Sequence, residues 1–99
     1  MRIDRFLFLI RLVKSRTLAQ ALVAEGRVRV DGKHVLKASD VVRAGSVVAL
    51  PLRGEVRVIR VLSLPARRGP AAEARAHYEE IAANVSQEDR DVDEGGPQP

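Results

Sequence analysis

The stretch Gly26-Arg27-Val28-Arg29-Val30-Asp31-Gly32-Lys33-His34-Val35 decides the fold of this chain. Val28 and Val30 alternate with Arg27 and Arg29, and Asp31-Gly32 is a dipeptide preferred in a type I′ turn, whose two central residues both need positive φ. A β-hairpin is therefore expected over residues 28–35. Just before it the apolar period is that of a helix: Leu18, Ala19, Leu22 and Val23 share one face, Ser15 can cap the start, and Gly26 follows Glu25 as a left-handed C-cap. Further back, Ile3, Phe6, Leu7, Ile10 and Val13 line the face of another helix, with Asp4 as its cap. Phe8 and Leu12 point away from that face, among Asp4, Arg5 and Arg11. An outward aromatic flanked by arginines either packs beneath a second element or offers a stacking or docking surface.

Beyond the hairpin, Lys37-Ala38-Ser39-Asp40 leads to Val41-Val42 and a turn at Ala44-Gly45-Ser46. A strand follows from Val47 to Leu50, then a turn near Arg53-Gly54 and a strand from Val56 to Leu62. Val56 and Val58 alternate with Arg57 and Arg60, which makes a small antiparallel sheet with Arg43, Arg53, Arg57 and Arg60 on its solvated side. Pro65 to Gly69 reads as a basic linker. Pro70 suits the first turn of a third helix bearing a stripe of Ala74, Tyr78, Ile81, Ala82 and Val85. The expected organisation is a domain over residues 1–64, a linker and C-terminal helix over 65–85, and an acidic, disordered tail over 86–99. The fold class is α+β, with two N-terminal helices packed on a small antiparallel sheet.

A chain of 99 residues, 45% apolar and 30% charged, has material for one small core. Without cysteine it has no disulfide framework or thiolate zinc site, and His34 and His77 stand far apart in sequence, so neither a metal nor a cofactor is expected. The longest apolar stretch, Phe6 to Ile10, is much shorter than the ~20 residues of a membrane span, and a cytoplasmic protein with no membrane partner is expected. There is no glycine-rich phosphate loop, no nucleophile motif and no carboxylate pair set in apolar sequence. Asp31 is explained by its turn. The reading is a binding protein with no catalytic residues, not an enzyme.

The net charge of +4 conceals an asymmetry. Residues 1–68 carry fifteen basic and five acidic side chains, a net +10, and the remainder carries two basic and eight acidic, a net −6. A small domain at +10 attracts polyanions, of which nucleic acid is the most densely charged. Arginine also forks onto phosphates and stacks on unpaired bases, which suits folded RNA better than smooth duplex.

The order of helix, Ser15-Arg16-Thr17, helix, Gly26, basic hairpin with Asp31-Gly32, then Lys37-Ala38-Ser39 and Gly45 resembles the S-four RNA-binding domain. The opening Arg2-Ile3-Asp4-Arg5-Phe6-Leu7 and the run Arg11-Leu12-Val13-Lys14 belong to the same pattern, which covers residues 2–48. Ala66-Arg67-Arg68-Gly69-Pro70-Ala71-Ala72-Glu73-Ala74 and Tyr78-Glu79-Glu80 extend the likeness to the bacterial fifteen-kilodalton heat-shock protein family. A related small protein of ribosome-associated quality control shares the helix and hairpin part. The resemblance implies binding to ribosomal or transfer RNA on the large ribosomal subunit, as a heat-shock or ribosome-rescue factor. It implies a basic surface made of Arg2, Arg5, Arg11, Lys14, Arg16, Arg27, Lys33, Lys37, Arg67 and Arg68. Non-specific DNA binding and a monomeric state are further expectations. Two other readings stand beside it: a detached RNA-binding module working with a separate RNA-modifying enzyme, or a protein-interaction module using Phe8, Leu12 and the Tyr78 segment. Family members commonly carry a long basic tail where residues 86–99 are acidic, and Phe6, Phe8 and Leu9 stand where tryptophans and smaller residues are expected.

Overall fold

The computed structural model describes residues 1–85; the acidic tail expected over 86–99 lies outside the described residues. Two helices, α1 (Ile3–Leu9) and α2 (Arg16–Ala24), precede the hairpin strands β1 (Arg29–Val30) and β2 (Lys33–His34). The longer strands β3 (Val47–Leu52) and β4 (Glu55–Val61) follow, then a short helix α3 (Ala71–Arg75) and a strand β5 (Tyr78–Val85). The five strands form one antiparallel sheet in the order β2-β1-β3-β4-β5.

Local chemistry accounts for the hairpin and the second helix. Asp31 and Gly32 take φ of 53° and 83°, as the tight turn requires. Asp31 also pins the hairpin to the next strand: its amide donates to the Val47 carbonyl at 2.8 Å and its Oδ1 accepts from the Val47 amide at 2.9 Å. Ser15 caps α2 by accepting from the Leu18 amide at 3.1 Å, and Gly26 turns the chain out of that helix with φ of 71°.

Both helices bury apolar side chains on one face of the sheet, but Leu18 of the expected α2 stripe stays exposed. Ile3, Phe6, Leu7, Ile10, Val13, Ala19 and Val23 share a core with Val28, Val35, Val42, Val48, Leu50, Ile59 and Val61. The first helix is shorter than its periodicity suggests. It ends at Leu9, and Arg11 at φ of 64° redirects the chain so that Ile10 and Val13 reach the core from a turn.

Three expectations are corrected. Asp4 does not cap α1: the N-cap is Arg2, which makes no side-chain cap, and the Asp4 side chain lies fully buried in the first turn. On β4 the facing of Val56, Arg57 and Val58 is opposite to that expected, whereas Val61 is buried and Arg60 exposed in line with it. Ile59 and Val61 enter the core with Arg57 on the same side, whereas Val56 and Val58 lie on the other face, opposite Pro51 and Ala49. The third helix stops at Arg75, and Tyr78–Val85 is a strand, so the segment after residue 65 completes the sheet of the preceding domain. Pairing satisfies a row of β4 backbone groups that would otherwise form an open edge. It also sets Glu80 against Arg57 and Glu79 against Arg60 across the two strands, at 2.5 and 3.5 Å. The Arg57 guanidinium is raised above its ordinary value by the hydrogen bonds to Glu80, with burial opposing and the charges of Glu80 and Tyr78 reinforcing.

Candidate nucleic-acid interface

The centre of the site is a carboxylate. Asp4 is 0% exposed, and five donors converge on it. Arg2 approaches in a fork, Nε to Oδ1 and Nη2 to Oδ2, both at 3.1 Å. Arg16 Nη2 reaches both oxygens at 3.3 and 3.4 Å, Gln20 Nε2 donates to Oδ2 at 3.0 Å, and the Arg5 amide donates to Oδ1 at 2.7 Å. Arg16 and Gln20 lie one turn apart on α2, so one carboxylate on α1 ties the two helices and both arginines together. Burial pushes the Asp4 carboxyl up, but the Gln20, Arg2 and Arg5 hydrogen bonds and the Arg16 charge outweigh it and hold the group below the usual carboxylate range. The Arg2 and Arg16 side chains keep 48% and 41% of their surface in solvent, so both leave positive surface facing outward.

The loop between β2 and β3 closes against this cluster. The carbonyls of Ala38 and Asp40 accept the first amides of α1, from Asp4 at 3.2 Å and Ile3 at 2.8 Å. Those amides would otherwise lack partners at the helix start. Lys37 is thereby carried to the end of α1 where Arg2 and Arg16 are anchored. Among the described residues, the ammonium groups of Lys14, Lys33 and Lys37 make no hydrogen bond or ion pair and are exposed.

The remaining expected residues make contacts away from Asp4. Arg5 and Arg11 donate to the linker carbonyls of Ala66 at 3.4 Å and Gly69 at 2.6 Å, and Arg68 donates back to the Phe8 carbonyl at 3.0 Å. The Arg68 guanidinium also lies 4.5 Å from the centre of the Phe8 ring, a cation–π contact. Phe8 therefore packs beneath a second element, the linker, and is not an open stacking platform. Arg67 pairs with Glu73 at 3.2 Å and Arg27 with Glu25 at 3.7 Å. Arg2, Arg16 and Lys37 are thus brought together at one end of α1, while Arg5, Arg11 and Arg68 hold the linker on that helix. Among the described residues, no hydrogen bond or ion pair joins Arg27 or Lys33 to the Asp4 cluster. Sequence reasoning missed Gln20 and the anchoring role of Asp4. The only signal for them is Arg16 and Gln20 at helical spacing, and nothing local points from these to an acid twelve residues before Arg16.

The family model described as the S4 domain matches residues 1–48, which hold both helices, the Asp4 cluster, the hairpin and the Lys37 loop. Residues 1–48 are an S4 domain. This domain and the strands after it are similar to the heat shock protein 15 homolog of Haemophilus influenzae, 30% identical over 84 residues, or 85% of this chain and 63% of that protein. Over 50 residues, half of this chain, the protein is also similar to the RQC P-site tRNA stabilizing factor of Halalkalibacterium halodurans, 44% identical and matched over 56% of that one. The chain spans just under two thirds of the length of the heat shock protein relative. A solved structure of Vibrio cholerae heat shock protein 15, described as trimeric, superposes with a TM-score of 0.79 at 28% identity, covering 93% of this chain and 92% of that one. That match covers the helix pair and the five-stranded sheet alike. Among the described residues, no helix is long and apolar enough to cross a membrane, and no group of three or more potential metal-binding side chains occurs.

Proposed function

We propose that this S4-domain protein binds ribosomal or transfer RNA on the large ribosomal subunit in the cytoplasm, without catalysis, as a heat-shock or ribosome-rescue factor. The observation that carries the reading is the arrangement around Asp4. A buried carboxylate orients the guanidinium groups of Arg2 and Arg16, and the unpaired Lys37 is held beside them by the loop that closes on α1. Orientation of this kind reduces the side-chain freedom lost when the donors not engaged by Asp4 meet phosphates. The name of the RQC P-site tRNA stabilizing factor supports the transfer-RNA part of this reading, and that of the heat shock protein 15 homolog the heat-shock part.

In this mechanism phosphates bridge Arg2, Arg16, Lys37 and Lys14, and affinity comes mainly from displaced counterions. Arg5, Arg11 and Arg68 add positive field, because a carbonyl partner takes up one of their donors and leaves their charge uncompensated. The deciding experiment is a sucrose-gradient profile of lysate from cells producing the tagged full chain. Co-migration with large subunits, abolished at high salt, is the expected result. Retention in the light fractions at low salt would overturn the ribosomal assignment.

A further inference from the structure

The loop that carries Lys37 also exposes apolar surface. Leu36 is 83% exposed, the most exposed of the large hydrophobic residues described, and Val41 at the other end of the loop is 59% exposed. Their backbone is nonetheless firmly held. The Asp40 carboxylate accepts from the amides of Leu36 at 3.1 Å and Lys37 at 3.3 Å, and the Asp40 amide donates to the Lys37 carbonyl at 2.9 Å. The flanking residues Val35 and Val42 are buried in the core, and Val41 forms a β-bridge with Arg2.

An isolated exposed leucine is ordinary. Here two apolar side chains sit on a fastened loop whose neighbours are cations: Lys37 follows Leu36 directly, Arg2 bridges Val41, and Arg16 shares a carboxylate with Arg2. Such a border repels basic partners and attracts phosphates. RNA offers both chemistries at once, because an unpaired nucleotide places an apolar base face one sugar away from its phosphate, whereas in a duplex the faces are stacked out of reach.

We propose that Leu36, supported by Val41, is the contact for an unpaired nucleobase. The basic surface then prefers RNA with a loop or bulge over duplex RNA of equal charge. This rests on the RNA-binding reading and goes further by naming the RNA element recognised and the residue that selects it.

The test compares two labelled synthetic RNAs with the same number of nucleotides, a hairpin with an unpaired loop and a fully paired duplex, titrated with the full chain at fixed salt. The wild type is expected to favour the hairpin about fivefold, the scale set by burying part of a leucine side chain. Leu36→Ser is expected to bring the ratio close to one while leaving duplex affinity and its salt dependence unchanged, and Leu36→Phe to retain the preference. Since Leu36 lies outside the core, both variants should melt with the wild type. An unaltered hairpin preference in Leu36→Ser, or equal binding of the two RNAs by the wild type, would overturn the inference and leave the RNA-binding reading standing. Absence of binding to either RNA would overturn that reading as well.

Discussion

Replacing Asp4 with asparagine keeps the shape of the side chain and removes the charge on which α1 and α2 meet. In the native chain the carboxylate takes hydrogen bonds from Arg2, Arg16, Gln20 and the Arg5 amide. A hydrogen bond to a charged group contributes roughly 1.5–3 kcal/mol, and removing one partner of a buried ion pair costs about 3–5 kcal/mol. The cost falls at or below the bottom of that range, because Arg2 and Arg16 are 48% and 41% exposed and can return to water once released. A loss of about 2–3 kcal/mol follows, which for a domain of this size lowers the melting temperature by roughly 10–20 °C. The pH dependence has a definite sign. A folded carboxyl held below its unfolded value contributes stability that is present above the unfolded value, about pH 4, and is lost as pH falls through the lowered folded value. Thermal denaturation followed by circular dichroism at pH 7 and at pH 3 reads both effects. The wild type should lose part of its advantage over Asp4→Asn on acidification. Melting of Asp4→Asn within about 2 °C of the wild type at pH 7 would refute the anchoring role.

Three further outcomes are expected. RNA affinity should fall with salt at a log–log slope of about −3 to −5, corresponding to roughly four to six phosphate contacts; a slope near zero would remove the electrostatic mechanism. Lys37→Ala should weaken RNA binding by about 1 kcal/mol with little change in melting temperature, whereas Arg57→Ala should lower the melting temperature through loss of the Glu80 pair and leave RNA binding unchanged, so equal effects on binding would mean that only net charge matters. Deleting residues 86–99, which carry five acidic side chains and one basic, raises the net charge from +4 to +8 and should tighten RNA binding at low salt more than at high salt; coincident titrations at low salt would count against it.

The parts of this fold legible in the sequence are those fixed by neighbours along the chain. The Asp31-Gly32 turn, the Ser15 cap, the Gly26 turn and the helical stripes of Phe6 and Leu7 or Ala19 and Val23 are all settled within a few residues. The 71–85 segment was misread beyond Arg75 because its spacing of apolar residues suits a helix, while the deciding influence is a distant strand edge with Arg57 and Arg60 in place to pair with Glu80 and Glu79. The facing of β4 was misread for a related reason. Val56, Val58, Ile59 and Val61 are all apolar, and only the register with β3 and the position of the helices selects which pair is buried.

The same division explains the site. Composition and the order of motifs were enough to locate a basic surface, because charge is additive and needs no geometry. They could not rank its members, since rank depends on which donors already have partners. Arg5, Arg11 and Arg68 look equivalent to Arg2 and Arg16 in the sequence, yet the former hold a linker on α1 and the latter are aligned by Asp4. An acidic residue that subtracts from the net charge is therefore the one that organises the positive surface. A carboxylate placed at 0% exposure beneath two half-exposed arginine side chains faces inward with its charge and leaves part of theirs facing out.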